Sequence, residues 1–466
     1  MVVGVVGVIK KLFAAGIILL LVCMNIPSTG RVMEQTSTLS TDGITRYVGG
    51  SGPGNYTKIQ DAIDNSSDGD TVFVYKGEYH ENLRIEKSIN LIGENKNLTI
   101  VEADEYYSSL INIYADEVKV SGFTIQGSFF LGVYTNENSC IISDNIIKNN
   151  GRGIDIGSAK SKNNTVHNNI LIDNFMQMRG GSYHTISNNS FINTGIEFFD
   201  VPSNIVCSNN TVNGKPLIYL ENKKDMIFNE EAGQIILVSC ENVTVENQNI
   251  WYTEDGIQVL NSNNCLIADS IISGNANGII IRDYSERITI FGNTIYDNEN
   301  TGIQIRDTGH NYIINNDIYD QKAGIQLKES SNNNIAENYI HNNFDGIRLG
   351  DESNNNYIEK NSIINNGYGI YNGWKDDPYD IVSTTNTTIE LNHFEKNVLY
   401  LSFASRNKIF RNNFISCIAD YQMSFFNKWD GNYWGKSRIL PKLIFGINIL
   451  PWIQIDWHPA QEPYDI

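Results

Sequence analysis

Residues 324–350 read GIQLKESSNNNIAENYIHNNFDGIRLG, so the four residues that open this stretch return almost unchanged at its end. The two copies begin at Gly324 and Gly346, 22 residues apart. Apolar and polar residues alternate within each copy, which places Ile325 and Leu327 on one face of an extended chain and Gln326 on the other. This alternation predicts β-strands rather than an amphipathic helix.

The same Gly-Ile-x-apolar motif, here called the GI motif, recurs through most of the chain. Its copies begin at Gly153, Gly195, Gly256, Gly278, Gly302, Gly324, Gly346 and Gly369. A repeat of roughly 20–24 residues with two or three short strands is typical of one coil of a parallel β-helix. The pattern therefore predicts an all-β fold, a single parallel β-helix of about 13 coils over residues 47–434.

Asparagine is concentrated between the predicted strands, for example at 332–334 and 354–356. Asparagine tolerates left-handed backbone angles better than other residues with a β-carbon, so it suits the bends between strands. In stacked bends its amide can also bond to the asparagine of the next coil. We therefore predict structural ladders of asparagine side chains.

Both ends of such a rod require a cap against strand pairing. Residues 55–70, NYTKIQDAIDNSSDGD, predict an N-terminal capping helix that starts with a capping box of Thr57 and Gln60. Residues 435–466 form a predicted C-terminal cap or tail. We expect the aromatic residues of the C-terminal segment to cover the last coil, namely Trp429, Trp434, Trp452 and Trp457.

The first thirty residues differ in character from the rest. Lys10 and Lys11 precede a short apolar run over residues 12–26. This arrangement predicts export, with residues 1–30 either a cleaved signal peptide or an uncleaved anchor, followed by a linker over residues 31–46. Any membrane association is expected through this segment only.

The chain carries a net charge of -19, and such a surface repels phosphate backbones. Nucleic acid is therefore excluded as the expected partner. None of the cysteines forms a CxxC pair, and Cys140 and Cys265 occupy the inward slot that Ile335 occupies in another coil. We expect buried thiols, and neither a metal nor a cofactor.

Three segments resemble NosD-like proteins. These are residues 56–94 (YTKIQDAIDNSSDGDTVFVYKGEYHENLRIEKSINLIGE), residues 213–250 and the sequence WDGNYW at 429–434. The resemblance implies a right-handed parallel β-helix of the carbohydrate-binding and sugar-hydrolysis (CASH) type, exported to the cell surface or periplasm. NosD itself is implicated in maturing a copper site, which makes Met176, Met178 and His184 the side chains to inspect. The wider fold also includes pectin lyases, glycoside hydrolases and uronan epimerases.

The residue after each Gly-Ile pair should face outward and form a row along the rod. This row supplies the candidate ligand-binding residues Gln177, Gln258, Gln304, Gln326, Arg348 and Tyr371. Asp155 and Glu197 lie in the same row two coils apart, about 9–10 Å by strand spacing. That separation approaches the roughly 6.5–9.5 Å between the carboxyl groups of inverting glycosidases, so the pair is a candidate catalytic pair. An ordinary solvated sheet face is the alternative interpretation.

These observations leave several functions open. The leading hypothesis is an exported protein that binds a polysaccharide or surface glycan. The alternatives are a polysaccharide-active hydrolase, lyase or epimerase, and a structural or adhesive surface protein. A copper-site maturation factor is the remaining alternative, and it rests on the resemblance alone.

Overall fold

The structure of the protein, a computed structural model, describes residues 43–104, 109–350, 352–373, 384–448 and 451–466. The predicted signal peptide or anchor and residues 31–42 of the predicted linker lie outside the described residues. The first strand, Thr45–Val48, begins near the end of that linker. From there the described chain is built of short strands and one six-residue helix, Ile59–Asp64.

The strands form a parallel β-solenoid of about 18 turns, which confirms the predicted fold class. The expected count of about 13 coils was too low, because coils near both ends keep the strand but lack the GI motif. The strands Leu83–Ile85 and Val398–Ser402 belong to such coils. A complete coil contributes one strand to each of three sheets, called the first sheet, the second sheet and the GI sheet, and coils at the ends and at the junction contribute fewer.

The solenoid consists of two stacks of coils, and each stack has its own hydrophobic core. In the N-terminal stack, the first sheet comprises Thr45–Val48, Thr71–Val74, Asn90–Gly93, Lys119–Ser121, Ile141–Ser143, Thr165–His167, Thr185–Ser187 and Val206–Ser208. The second sheet comprises Gly77–His80, Thr99–Glu102, Thr124–Gln126, Ile146–Lys148, Ile170–Ile172, Ser190–Ile192 and Thr211–Val212. The GI sheet comprises Leu83–Ile85, Ile111–Ile113, Leu131–Thr135, Arg152–Ile156, Met176–Arg179 and Ile196–Asp200.

The C-terminal stack repeats this plan after the junction. Its GI sheet comprises Lys215–Glu221, Gln234–Val238, Asp255–Leu260, Asn277–Arg282, Thr301–Arg306, Ala323–Lys328, Asp345–Gly350, Tyr368–Asn372, Val398–Ser402 and Ile418–Gln422. Its first sheet comprises Lys224–Phe228, Glu241–Glu246, Leu266–Ala268, Thr289–Phe291, Tyr312–Ile314, Asn334–Ala336, Tyr357–Glu359, Thr388–Glu390, Lys408–Phe410 and Lys428–Asp430. Its second sheet comprises Asn249–Trp251, Ile271–Ser273, Thr294–Tyr296, Asp317–Tyr319, Tyr339–His341, Ser362–Ile364, His393–Glu395 and Asn413–Ile415. Two further strands, Lys442–Ile447 and Pro451–Asp456, form a terminal antiparallel hairpin.

The inward residues of the GI motif form the predicted apolar ladder. Ile303 pairs with Ile325 and Ile325 with Ile347, and all three are fully buried. Burial of each such side chain contributes about 1.5–3 kcal/mol. The alternation in GIQL and GIRL therefore predicts the register of the sheet correctly.

The asparagine ladders are also confirmed. The backbone N–H of Asn316 donates to Oδ1 of Asn338 at 2.9 Å, and the N–H of Asn338 donates to Oδ1 of Asn361 at 3.0 Å. The side-chain amide of Asn338 also donates to the carboxamide oxygen of Asn361 at 2.9 Å. Exposed bend residues such as Asn332 take the left-handed conformation, with φ of 61°. Asparagine thus has two separate uses, one in the buried ladder and one in the exposed bend.

The N-terminal helix caps the rod as expected but starts differently. Ile59, Ala62 and Ile63 are its buried residues. The predicted capping box of Thr57 and Gln60 is wrong, because the N-cap is Lys58 and makes no side-chain bond to the helix. The carboxylate of Glu81 instead accepts from the N–H groups of Ile59 and Gln60 at 2.8 and 3.0 Å. A neighbouring coil therefore supplies the cap.

The aromatic C-terminal cap is confirmed for only two of its four tryptophans. Trp429 and Trp434 are buried, and the Trp434 ring stacks on Phe414 at 4.6 Å between centroids. The prediction is wrong for Trp452 and Trp457, which are 59% and 62% exposed on the terminal hairpin. Tryptophan and isoleucine composition does not distinguish the inner face of a cap from its outer face.

The junction between the stacks is a reversal of the chain. The strand Thr211–Val212 pairs antiparallel with Lys215–Glu221, which pairs in parallel with Gln234–Val238. Outward side chains of the new stack, including Ile236 and Leu260, then join the core of the N-terminal stack. The last GI strand of the N-terminal stack, Ile196–Asp200, therefore abuts the outer face of the C-terminal stack.

Two glutamine side chains hold this edge strand. Gln234 accepts from the N–H of Ile196 at 2.9 Å and donates to its carbonyl at 2.8 Å. Gln258 accepts from the N–H of Phe198 at 3.0 Å. Both glutamines are fully buried. The backbone groups of this edge strand have no further strand to pair with, so these side chains satisfy their hydrogen bonds.

Gln258→Ala should destabilise the protein, because it leaves buried backbone groups of the edge strand without partners. We expect a loss of about 3 kcal/mol in the free energy of unfolding, measured by denaturant titration. Gln304→Ala is the matched control: it removes the same side chain from a half-buried position in the same sheet, and it should cost less than about 0.5 kcal/mol. Equal losses for the two variants would contradict a bridging role for Gln258.

His184 occupies a ladder position that asparagine fills in other coils. The N–H of Asn164 donates to its Nδ1 at 3.1 Å. The ring is buried, its Nε2 has no hydrogen-bond partner, and burial lowers the pKa of His184 to about 4. The folded protein therefore keeps this imidazole neutral at pH values where a free histidine is charged.

Stability should fall as the pH is lowered from about 6.5 to about 4, because the unfolded chain binds a proton at His184 and the folded chain does not. His184→Asn restores the usual ladder residue and should reduce this loss, as measured by the melting temperature across that range. A melting-temperature curve for His184→Asn that is identical to the wild-type curve across this range would contradict the assignment.

Candidate functional site

The outward residues of the GI sheets form the predicted row. In the N-terminal stack, Asp155 pairs with Gln177 and Gln177 with Glu197. In the C-terminal stack, Gln304, Gln326, Arg348 and Tyr371 are aligned in the same way. The two halves of the row meet at the junction, where the edge strand of the first stack contacts the outer face of the second. We call the two half-rows together the groove.

Asp155 lies at the base of a cavity in the N-terminal half of the groove. The cavity has a volume of about 640 Å³, and its lining includes Phe129, Phe130, Tyr134, Arg152, Phe175 and Arg179. Although Asp155 points outward from the sheet, it is only 1% exposed, because these larger side chains rise around it. The alternating pattern predicts its direction and does not predict its burial.

The Asp155 carboxylate is incompletely paired. Its Oδ2 lies 3.4 Å from Nη1 of Arg152 and 3.6 Å from Nη2 of Arg179. Its Oδ1 is buried and has no hydrogen-bond partner. Burial raises the pKa of Asp155, and the two arginines oppose that rise. A carboxylate with incomplete hydrogen bonding thus lies in the lining of an aromatic cavity.

Gln177 connects this cavity to the junction. Nη1 of Arg152 donates to Oε1 of Gln177 at 3.1 Å, and Nε2 of Gln177 donates to Oε2 of Glu197 at 2.6 Å. Nη1 of Arg282, from the second stack, lies 3.7 Å from Oε1 of Glu197. A chain of polar contacts therefore runs from one stack to the other. The sequence predicts Gln177 and Glu197 as neighbours and misses Arg282.

Two acidic residues at the junction were also missed, Glu254 and Asp255. They immediately precede the glycine of a GI motif, whereas only the residue after the Gly-Ile pair was considered. Oδ1 of Asp255 accepts from Nδ2 of Asn277 at 2.9 Å, and its buried Oδ2 has no partner. The sequence signal that could have identified this site is a polar residue immediately before the glycine of a GI motif, such as Asp255 or Asn277.

Burial and mutual repulsion raise the pKa of both groups. Burial, followed by the nearby Glu197, raises the pKa of Asp255 to about 7, although Arg282 opposes the rise. Burial, then Asp255 and Glu197, raise the pKa of Glu254 to about 8. The junction therefore holds two carboxyl groups, Glu254 and Asp255, that keep their protons to a higher pH than a free carboxylic acid does.

Phe199 is the aromatic centre of the junction. The guanidinium carbons of Arg179, Arg282 and Arg306 each lie 5.6 Å from its ring centroid. Every one of these arginines also has an acidic partner within 4 Å, as Arg306 has Asp307 at 3.0 Å. The arginines in this part of the groove are thus compensated by acids and do not form a positive surface.

The C-terminal half of the groove is more polar and shallower. Nε2 of Gln304 donates to Oε1 of Gln326 at 2.9 Å, and Nε of Arg348 donates to Oδ2 of Asp345 at 2.7 Å. The Tyr371 ring stacks on Tyr400 with centroids 5.5 Å apart. Gln258 belongs to this row by sequence, but its buried amide is bonded to the edge strand described above.

Two family models match the chain, one in each stack. The family described as "Periplasmic copper-binding protein (NosD)" matches residues 63–229. The family described as "Right handed beta helix region" matches residues 233–381. The boundary between the two matches falls within the junction between the stacks.

A curated relative and several solved structures are also similar. A cell surface glycoprotein of Methanothermus fervidus is 38% identical over 97 residues, which is 20% of this chain and 16% of that protein. The A-module of a mannuronan C-5 epimerase from Azotobacter vinelandii is 13% identical, covers 87% of this chain and 94% of its own, and has a TM-score of 0.36. A DFA-IIIase from Arthrobacter chlorophenolicus is 10% identical, with coverages of 84% and 95% and a TM-score of 0.36.

The residues present do not fit a copper site. Met176 and Met178 are fully buried and belong to the hydrophobic core, and Nδ1 of His184 is occupied in the ladder. Among the described residues, no group of three His, Cys, Asp or Glu side chains is placed to hold a metal ion.

The described helix of six residues is too short to cross a membrane, and no longer apolar helix occurs in that part of the chain. The segments at the opening helix and at the junction resemble NosD-like proteins. The stacked parallel coils and the two family matches support that resemblance. The chain is an exported, NosD-like right-handed parallel β-helix protein.

Proposed function

We propose that the protein binds a neutral, linear glycan along the groove, with the Asp155 cavity as its principal subsite. The observation that carries this proposal is the incompletely paired carboxylate of Asp155 in the lining of a cavity of about 640 Å³. A carboxylate in that position is suited to a ligand hydroxyl group, which can donate to it.

The lining of the cavity favours a sugar over other small ligands. Phe129, Tyr134 and Phe175 offer ring faces for the C–H surface of a pyranose. Arg152 and Arg179 offer planar donors beside those rings for its hydroxyl groups. Pockets with an apolar lining and a few oriented polar groups are characteristic of small-molecule binding sites.

The repeat of the coils favours a polymer over a single sugar. Successive residues of the row lie about 4.8 Å apart, so an extended chain along the rod meets Asp155, Gln177 and Glu197 in turn. Affinity then comes from several shallow contacts, since the C-terminal half of the groove offers side chains rather than a deep cavity.

Charge favours a neutral glycan over a polyuronate. Arg282 and Arg306 each have their own carboxylate within 4 Å, and Arg152 and Arg179 share that of Asp155. The whole chain carries a net charge of -19, which repels polyanions at long range. The field around the chain therefore favours a neutral glycan over an acidic polymer.

Asp155→Asn should weaken binding of a long neutral glycan about tenfold, because it removes a charge-assisted hydrogen bond and keeps the shape. A glycan array would identify the ligand, and isothermal titration calorimetry would measure the affinities. Tyr339→Ala is the control, since Tyr339 is exposed on the second sheet, away from the GI sheet. Equal affinities for the two variants, or selective binding of polyuronates, would refute the groove as a neutral-glycan site.

A second candidate function is glycan hydrolysis, and the carboxyl groups at the junction favour it. Glu254 has a pKa raised to about 8, as a general acid requires, and Glu197 lies beside it. Gln177 donates to Glu197 at 2.6 Å and Arg282 lies 3.7 Å from it, so the Glu197 carboxylate is held in position to activate water. This assignment keeps Glu197 from the sequence-predicted pair and has Glu254 in place of Asp155.

If the site is hydrolytic, Glu254→Gln should abolish the release of reducing ends from a bound glycan and leave its affinity nearly unchanged. The rate should decline as the pH rises through about 8, because Glu254 must be protonated to act as the acid. Glu299→Gln is the control, since Glu299 is a well-exposed neighbour of Glu254. Binding without release of reducing ends by the wild-type protein would refute hydrolysis and leave the binding proposal intact.

A further inference from the structure

Four bends that flank the first sheet carry asparagines with free side chains. All four asparagines are exposed and left-handed, with φ between 54° and 60°. In the part of the chain that the structure describes, none of their side-chain amides makes a hydrogen bond. We call them the bend asparagines, and they are Asn163, Asn188, Asn209 and Asn386.

Each bend asparagine begins the sequence Asn-x-Ser or Asn-x-Thr, which is the acceptor motif for N-linked sugars. The residue that supplies the hydroxyl group is in each case the first residue of a strand and is partly exposed. Among the described residues, these hydroxyl groups have no hydrogen-bond partner. They belong to Thr165, Ser190, Thr211 and Thr388. Both groups that the motif requires are therefore available on the surface of the folded protein.

The middle residue of each motif is anchored in the ladder. Asn189 is 1% exposed, and its N–H donates to Oδ1 of Asn210 at 3.0 Å. Thr387 is also 1% exposed, and its N–H donates to Oδ1 of Asn407 at 2.8 Å. The coil thus buries the middle residue and leaves the asparagine and the hydroxyl residue on either side of it at the surface.

Four further copies of the motif begin at Asn55, Asn65, Asn97 and Asn242. In two of these copies the acceptor amide is already bonded to the backbone. The side-chain amide of Asn55 donates to the carbonyl of Gly49 at 2.6 Å, and that of Asn65 donates to the carbonyl of Asp61 at 2.8 Å. Modification of these amides would first require a hydrogen bond to break.

The other two of these copies are engaged in different ways. The side-chain amide of Asn242 donates to the carboxylate of Asp225 at 2.7 Å. The motif at Asn97 ends in Thr99, which is fully buried. The folded structure therefore separates the eight copies of the motif into four free and four engaged sites.

The bends that enter the GI sheet offer a natural comparison. Asn149 has the same exposed, left-handed conformation, with φ of 55°, and the residue two positions on is Gly151. Asn365 also has this conformation, and the residue two positions on is Gly367. Neither bend carries the hydroxyl group of the motif. Sugars on the bend asparagines would therefore stand beside the first sheet and leave these entries to the GI sheet clear.

We propose that the bend asparagines are N-glycosylation sites of the folded, exported chain. The donor is a glycosyl diphosphate, and the partner is a transferase that recognises the hydroxyl group of the motif. Nδ2 forms a bond to the anomeric carbon of the sugar as the bond from that carbon to the diphosphate oxygen breaks. The diphosphate leaves with the bonding electrons, and the proton lost by Nδ2 passes to a base of the transferase. The modification is independent of the groove, because no bend asparagine belongs to the GI sheet.

The test uses the full chain exported by its native host, and peptide mass spectrometry measures the fraction of each asparagine that carries a sugar. We expect the four bend asparagines to be occupied. Occupancy at the four engaged sites should be about fivefold lower, as expected where a hydrogen bond must first break. Asn149 is the internal control and should carry no sugar, because its sequence lacks the hydroxyl residue.

Variants that change only the hydroxyl residue test the motif without disturbing the bend. Thr165→Val should remove the sugar from Asn163, and Thr165→Ser should retain it. Ile170→Thr should create a new site at Asn168, which is an exposed, left-handed bend asparagine with φ of 56°. Melting temperatures should stay at the wild-type value, since both substituted side chains are partly exposed on the outside of their strands.

Several outcomes would overturn the proposal. Bend asparagines that carry no sugar in the exported protein would refute it directly. Equal occupancy at all eight copies of the motif would show that the folded structure does not select the sites. A sugar that persists at Asn163 in Thr165→Val, or the absence of one at Asn168 in a folded Ile170→Thr variant, would exclude recognition of a bend amide together with its hydroxyl residue.

Discussion

The structure depends on the transfer of hydrogen bonds from each coil to the next at the bends. A bend in a β-helix turns the backbone away from the strand ladder, so its N–H groups need another acceptor. Side-chain amides supply that acceptor, as Asn338 does for Asn316 and Asn361 does for Asn338. Because each amide both accepts and donates along the stack, every coil is specified by its neighbours on both sides.

The same constraint explains the junction. Where the N-terminal stack ends, its last GI strand has no following coil to accept or donate hydrogen bonds. Gln234 and Gln258 of the second stack replace that coil with carboxamide groups, which are chemically close to a peptide. Their bonds hold the two stacks against each other, and this contact places Glu197 beside Arg282. The polar cluster in the groove therefore results from the contact through which Gln234 and Gln258 satisfy the backbone groups of the edge strand.

The parts of the fold that follow from a local period were predictable from the sequence, and those that arise between distant coils were not. The alternation in GIQL predicts Ile325 inward and Gln326 outward, because the side chains of a strand alternate strictly. The direction of Asp155 was predictable for the same reason. Its burial depends on aromatic residues of neighbouring bends, and the burial of Gln258 depends on a strand about 60 residues away. Glu254 and Asp255 were missed because their environment comes from the junction rather than from their own coil.

The asparagine ladder aligns each coil with the next, and it does not require a fixed number of residues between them. Most ladder bonds join residues about 20–24 positions apart, yet the N–H of Asn361 donates to Asn392, 31 positions away, at an ordinary 3.0 Å. The ladder continues on both sides of this longer interval, and so does the stacking of Phe394 on Phe414. The ladder therefore tolerates coils of different length. Bends between ladder positions are natural sites for grafting a peptide epitope or a label, and surface loops of different length can diversify on one unchanged scaffold.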